Sequence, residues 1–180
     1  MKRLKRIVEK AIGLIFYFSL FIIVSWKNRS KSIYIFDLDN TLGNTFPTLV
    51  NRNPNEIERL KSIKPFARIC SLANNIASSK LRTVFVLTAR QFNTREVTVE
   101  WVKQAGISIP ENQIFLVLSP IQKVWLLKLI SLYCKRITFI DDMSFNHEKG
   151  EVKYYLDATK NIPKMVRYIG YKTILNFQKK

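Results

Sequence analysis

The 180 residues suit one domain plus an accessory segment; 47% are hydrophobic, 24% are charged, and the formal net charge is +17. That hydrophobic content excludes a disordered chain. The basic balance favours anionic partners: nucleic acid, anionic lipid or phosphorylated substrates.

The first 31 residues hold eight of the 30 basic residues and one of the 13 acids, so residues 32–180 still carry +10. An AT-rich coding sequence would enrich Lys, Asn and Ile in the same way, so charge alone names no ligand. The two cysteines, Cys70 and Cys134, lie among apolar neighbours in predicted helices, where a buried thiol is expected. With no CxxC and no Cys/His cluster, zinc is not indicated. The single histidine, His147, excludes a histidine-rich metal site, and no nucleophile-elbow glycines accompany it for a serine triad.

Ala11–Trp26 is free of charge and apolar on every helical face. Sixteen helical residues span roughly 24 Å, a little short of a ~30 Å hydrocarbon core. Lys10 and Lys27 could snorkel and Trp26 suits an interface, so the run predicts a membrane anchor, with a buried core helix as the competing reading. Five basic residues precede it and three follow, a small bias toward the remaining chain lying outside the cytoplasm, while a shallow, non-spanning insertion would leave it on the cytoplasmic face. The expected division is therefore 1–31 as basic flank and anchor, and 32–180 as the globular domain.

Beyond the anchor, strand and helix patterns alternate. Ile33–Phe36, Thr83–Leu87, Ile114–Leu118 and Ile137–Ile140 are short apolar runs of strand formers. Pro65 opens a helical pattern carrying Phe66, Ile69, Leu72, Ala73 and Ile76. Asn93 and Glu96 form a capping pair for a helix ending near Gly106. Ile121–Cys134 reads as a helix and Tyr171–Leu175 as an edge strand. Short apolar strands separated by helices imply an α/β fold: a Rossmann-like parallel sheet with helices on both faces. Right-handed crossovers put the strand C-termini on one edge, where ligands bind.

Four of the five aspartates fall at that edge. Asp37 and Asp39 follow the first strand; Asp141 and Asp142 follow the fourth. A single such Asp is an ordinary strand-end cap. Four converging carboxylates repel one another, and a hard cation such as Mg²⁺ removes the repulsion.

Ile35-Phe36-Asp37-Leu38-Asp39-Asn40-Thr41-Leu42 resembles the first motif, DxDxT after an apolar strand, of the haloacid dehalogenase-like superfamily. Val86-Leu87-Thr88 resembles its second motif, Lys123 its third and Ile140-Asp141-Asp142 its fourth, in the right order. The resemblance implies a phosphatase in which Asp37 attacks phosphorus and Asp39 serves as acid and then base. It also implies that Thr88 binds a phosphoryl oxygen and Lys123 neutralises charge, with Lys128 a poorer alternative. Mg²⁺ would be held by Asp37, Asp141 and the Asp39 carbonyl, with Asp142 a second ligand or orienting a metal-bound water. Arg90, in Thr-Ala-Arg, is either a substrate-anion ligand or a surface cap. Asn146, His147 and Glu148 could brace the metal shell.

The gaps from Asp39 to Thr88 and from Thr88 to Lys123 fit no cap domain, so the resemblance is to the capless type, whose members take large substrates or close the site as homo-oligomers. With an anchor, such an open basic site suggests a membrane- or envelope-associated phosphate ester, including a lipid-linked one. Three other readings compete. The acceptor could be an alcohol other than water; the chain could be a tethered basic binding module with a relic site; or it could act on nucleic-acid ends. The complete motif set opposes the relic. The anchor and the lack of any RNA- or DNA-binding motif oppose nucleic acid.

Overall fold

In the computed structural model, residues 2–50, 55–145, 149 and 151–179 are described. The chain runs α1 (Lys2–Lys27), β1 (Ser32–Phe36), β2 (Gly43–Asn44), α2 (Phe46–Val50), α3 (Glu56–Lys61), β3 (Lys64–Pro65), α4 (Ala67–Ala77) and β4 (Arg82–Thr88). It continues through α5 (Arg95–Gln104), β5 (Ile114–Leu116), α6 (Pro120–Ile130), β6 (Ile137–Ile140), β7 (Ser144–Phe145), β8 (Lys153–Tyr154), α7 (Leu156–Lys160), β9 (Val166–Ile169) and α8 (Tyr171–Lys179).

Five strands form one sheet in the order β5-β4-β1-β6-β9, and every pairing is parallel. β4 shows why. Its Thr83–Thr88 stretch is buried throughout, as expected when a strand is covered on both faces. Ile33, Ile35, Phe36, Phe85, Leu87, Phe115 and Phe139 form the centre of the core. β1 lies between β4 and β6, with Phe36 in register with both Val86 and Ile140. The chain moves to one side of β1 through β4 and β5, then to the other through β6 and β9. That reversal opens a crevice at the C-terminal end of β1.

Sequence and structure diverge in four places. The edge strand is Val166–Ile169, while Tyr171–Lys179 is a helix whose Ile174 is buried. Asn93 does not cap α5; it lies in a 3-10 turn, Phe92–Thr94, that precedes the helix. Pro65 pairs with Gly43 in a short antiparallel ladder, and α4 begins two residues later. The helix end near Gly106 is found as expected: Gly106 has φ +74°, a left-handed conformation costly for residues with a Cβ.

The fourth divergence is the anchor. No helix among the described residues is long and apolar enough to cross a membrane, which overturns the membrane span over residues 11–26 and the localisation built on it. The physical reason lies in the core. Tyr17, Phe21 and Val24 recur at helical spacing and are buried against the domain. The Phe21 ring lies 5.6 Å from that of Phe85 and 4.9 Å from that of Phe115. The Tyr17 ring stacks on Phe92 at 5.1 Å, and a Cβ at Gly13 would meet that Phe92 ring at 2.4 Å, so only glycine permits the approach. Thr83 Oγ1 donates to Asn28 Oδ1 at 3.0 Å, tying the helix exit to β4. Composition does not separate the two cases, because a core helix and a short membrane helix are equally apolar.

Cys70 and Cys134 are both free and buried, and burial pushes each thiol up to about 11. Since the thiolate is the reacting form, neither should react with a thiol reagent at pH 8 until the protein is unfolded. Full native-state labelling within minutes would contradict this packing.

Candidate active site

Each site residue stands at the crevice for a topological reason. Asp37 follows β1, and its backbone N–H donates to Ile140 O of β6 at 2.8 Å. Asp141 follows β6 and donates likewise to Ile169 O at 3.1 Å. Thr88 is the last residue of β4. Lys123 lies in the first turns of α6, which starts at Pro120. Three parallel strand ends and the start of one helix therefore deliver the four side chains to one edge.

Asp37, Asp141 and Asp142 are buried, and each offers a carboxylate oxygen within 4.8 Å of the others. Lys123 Nζ bridges two of them, 2.7 Å from Asp37 Oδ1 and 2.7 Å from Asp141 Oδ2. Burial lifts Asp37 well above the usual carboxylate range against the pull of Lys123, and repulsion from Asp141, Asp39 and Asp142 adds to it. Burial, then Asp141, pushes Asp142 up to about 7. Burial opposes the charge on Lys123, but Asp141 and Asp37 outweigh it and raise the ammonium above its ordinary value. Ionised together, three carboxylates against one ammonium leave excess negative charge in a dry site. A divalent cation with oxygen preference fits that donor set.

Asp39 lies apart from this cluster. Arg90 grips it with two bonds, Nη2 to Oδ1 at 2.6 Å and Nε to Oδ2 at 2.9 Å. Thr45 Oγ1 donates to Oδ1 at 2.8 Å, and Thr88 Oγ1 lies 3.4 Å from Oδ2. Burial works to raise Asp39, but the charge and bonds of Arg90, with the Thr45 bond, hold it at about 2.

The structure thus brings together Asp37, Lys123, Asp141 and Asp142, and beside them Asp39, Thr88 and Arg90. Arg90 is buried and committed to Asp39 and Thr98, so it is not a surface cap. Lys128 is exposed, which removes it as the alternative to Lys123. Asn146, His147 and Glu148 lie outside the described residues. Between Asp39 and Thr88 the described elements are the β2–β3 antiparallel pair, α2, α3, α4 and β4; between Thr88 and Lys123 they are α5, β5, two 3-10 turns and the start of α6.

Three residues escaped the sequence reading. Thr41 Oγ1 donates to Asp142 Oδ1 at 3.3 Å and accepts from the Asp142 N–H at 3.1 Å, clamping the two aspartate loops together. Ser144 also donates to Asp142, and Thr45 steadies Asp39. Thr41 had a signal, its place in DxDxT. The other two are hydroxyls in loops and had none. Asn40 supplies the tight turn that returns Thr41 to the site, with φ 55° and its Oδ1 accepting from Phe46 N at 3.0 Å.

The donor set makes a stability prediction. Saturating Mg²⁺ at a hundredfold Kd should stabilise the fold by about 2.7 kcal/mol, or roughly 5–10 °C in Tm. EDTA should reverse the shift and Asp141→Asn should abolish most of it. An unchanged Tm across millimolar Mg²⁺ would remove the metal from the site.

No family model matches the sequence, and no curated protein matches it. Among solved structures, the fold is similar to a chain of the Pnkp1/Rnl/Hen1 complex, with a TM-score of 0.52 and 16% identity over 79% of this chain and 46% of that one. The chain spans less than half the length of that neighbour. Class C acid phosphatase from Bacillus anthracis with tungstate bound aligns with a TM-score of 0.48 and 11% identity, over 92% of this chain and 84% of that one. A second structure of that phosphatase aligns at 0.46 and 13%, over 74% and 68%. At these identities the first likeness establishes a shared fold, and the chemistry rests on the side chains.

Proposed function

We propose that the chain is a Mg²⁺-dependent phosphomonoesterase of the haloacid dehalogenase-like type that works through an aspartyl-phosphate on Asp37. The observation that carries the reading is the convergence of Asp37, Asp141, Asp142 and Lys123 on one strand edge, with Asp39 beside them.

In the first step an Asp37 oxygen attacks phosphorus in line, the bond from phosphorus to the leaving oxygen breaks, and Asp39 gives that oxygen a proton. In the second, Asp39 takes a proton from water, the water oxygen attacks phosphorus, and the bond to Asp37 breaks to release phosphate. In the present geometry Arg90 holds Asp39 as a carboxylate, the form the second step uses; the first requires it protonated. Lys123 keeps a positive charge against Asp37 where phosphoryl charge arrives, and Thr88 offers a hydroxyl at the same edge. Asp37, Asp141 and Asp142 would hold Mg²⁺, which supplies charge neutralisation at the phosphoryl oxygens. A binding module with a relic site is disfavoured, because no member of this set is missing.

The test is phosphate release from small phosphomonoesters by the full chain, with Mg²⁺ and with EDTA. Metal-dependent release supports the reading. Equal release after exhaustive chelation, or none from any ester tried, overturns it.

A further inference from the structure

A cleft of about 480 Å³ opens beside Asp39, between the start of α3 and the loop that follows β4. An acid that protonates the leaving oxygen must touch it, so a group attached to that oxygen begins in this cleft. Resting on the phosphomonoesterase reading, we propose that the cleft is the leaving-group subsite and that it takes a hydroxyl-rich alcohol, a sugar or polyol.

Its walls carry the argument. Arg59 and Arg90 are both buried and both line it. Arg59 donates twice to Glu56 and once to Thr48; Arg90 donates twice to Asp39 and once to Thr98. A guanidinium has five N–H groups, so each arginine retains donors for oxygen atoms of a ligand. The amides of Gln91 and Asn93 add both acceptors and donors. Among the described residues, two carboxylates stand against two guanidinium groups, so that part of the lining has no surplus positive charge for a second phosphate. Among the described residues no aromatic ring lines the cleft, so a nucleobase or aryl group would find no face to stack on. Hydroxyl groups donate and accept at once and match a mixed, neutral lining. The volume falls in the range of small-molecule sites and accommodates a sugar.

The experiment compares three primary alkyl phosphates with the full chain and Mg²⁺: glucose 6-phosphate, cyclohexylmethyl phosphate and benzyl phosphate. Each has a six-membered ring, and their leaving oxygens are similar, so the contrast isolates hydroxyl recognition. Glucose 1,6-bisphosphate probes a second charge. Glucose 6-phosphate should exceed both hydrocarbon esters at least tenfold in kcat/KM. The Gln91→Leu/Asn93→Leu double variant, at two exposed positions, should lower that preference about tenfold. A wild-type enzyme that treats the three esters alike, prefers benzyl phosphate, or takes the bisphosphate tenfold better overturns the subsite while leaving the phosphatase reading standing. A double variant with an undiminished preference does the same. Failure to hydrolyse any ester overturns both.

Discussion

Asp37→Asn is expected to lower phosphate release by several orders of magnitude while leaving the protein folded. The amide cannot act as the attacking oxygen nucleophile, so the covalent route closes. Stability should survive for a reason specific to this site. Burial and three neighbouring acids disfavour the charge on Asp37, so a neutral isostere relieves repulsion. Lys123 loses one charged partner but retains Asp141 at 2.7 Å. A Tm within a few degrees of wild type, together with lost turnover, is the expected pair. Near wild-type release by the folded variant would show that Asp37 is not the nucleophile.

Four of the five strands were legible because they are short, largely buried apolar runs, although Ile114–Leu118 overran its strand by two residues; the fifth, Val166–Ile169, is only partly buried and was missed. Ile137–Ile140 matches the observed strand, and Thr83–Leu87 falls one residue short at each end. The acids were legible because a parallel topology leaves only one place for residues just after the strands. What sequence could not give was who holds whom. The grip of Arg90 on Asp39 spans 51 positions and depends on the turn after β4. The Thr41 clamp on Asp142 spans 101. Neither distance carries a local pattern.

The anchor misled for the opposite reason: composition was clear and context was missing. A sixteen-residue apolar run reports that a helix avoids water, not what it meets instead. Here Phe21 meets Phe85 and Phe115. Without a membrane-spanning helix among the described residues, an open site no longer points to a lipid-linked or envelope substrate. The cleft beside Asp39 is lined mainly by polar side chains, a poor match for an acyl chain.

Lys123→Met should be the most destabilising of these substitutions. The side chain is 3% exposed and its ammonium is the shared partner of Asp37 and Asp141. Methionine fills similar volume, so loss of packing is small and the result reports charge. Removing one partner from a buried ion pair costs about 3–5 kcal/mol, because the remaining carboxylates keep their desolvation and lose their compensation. Turnover should also fall by orders of magnitude, since no fixed cation would face the arriving phosphoryl group. Mg²⁺ provides the internal check. If it shares the carboxylates of this site, saturating Mg²⁺ should raise the Tm of Lys123→Met by more than it raises that of wild type. Asp37→Asn should show the smaller Mg²⁺ shift, having one ligand fewer. Thermal unfolding with and without Mg²⁺ measures all three. A Lys123→Met protein as stable as wild type without metal would mean that the acids hold their own protons and that Lys123 does not organise the site.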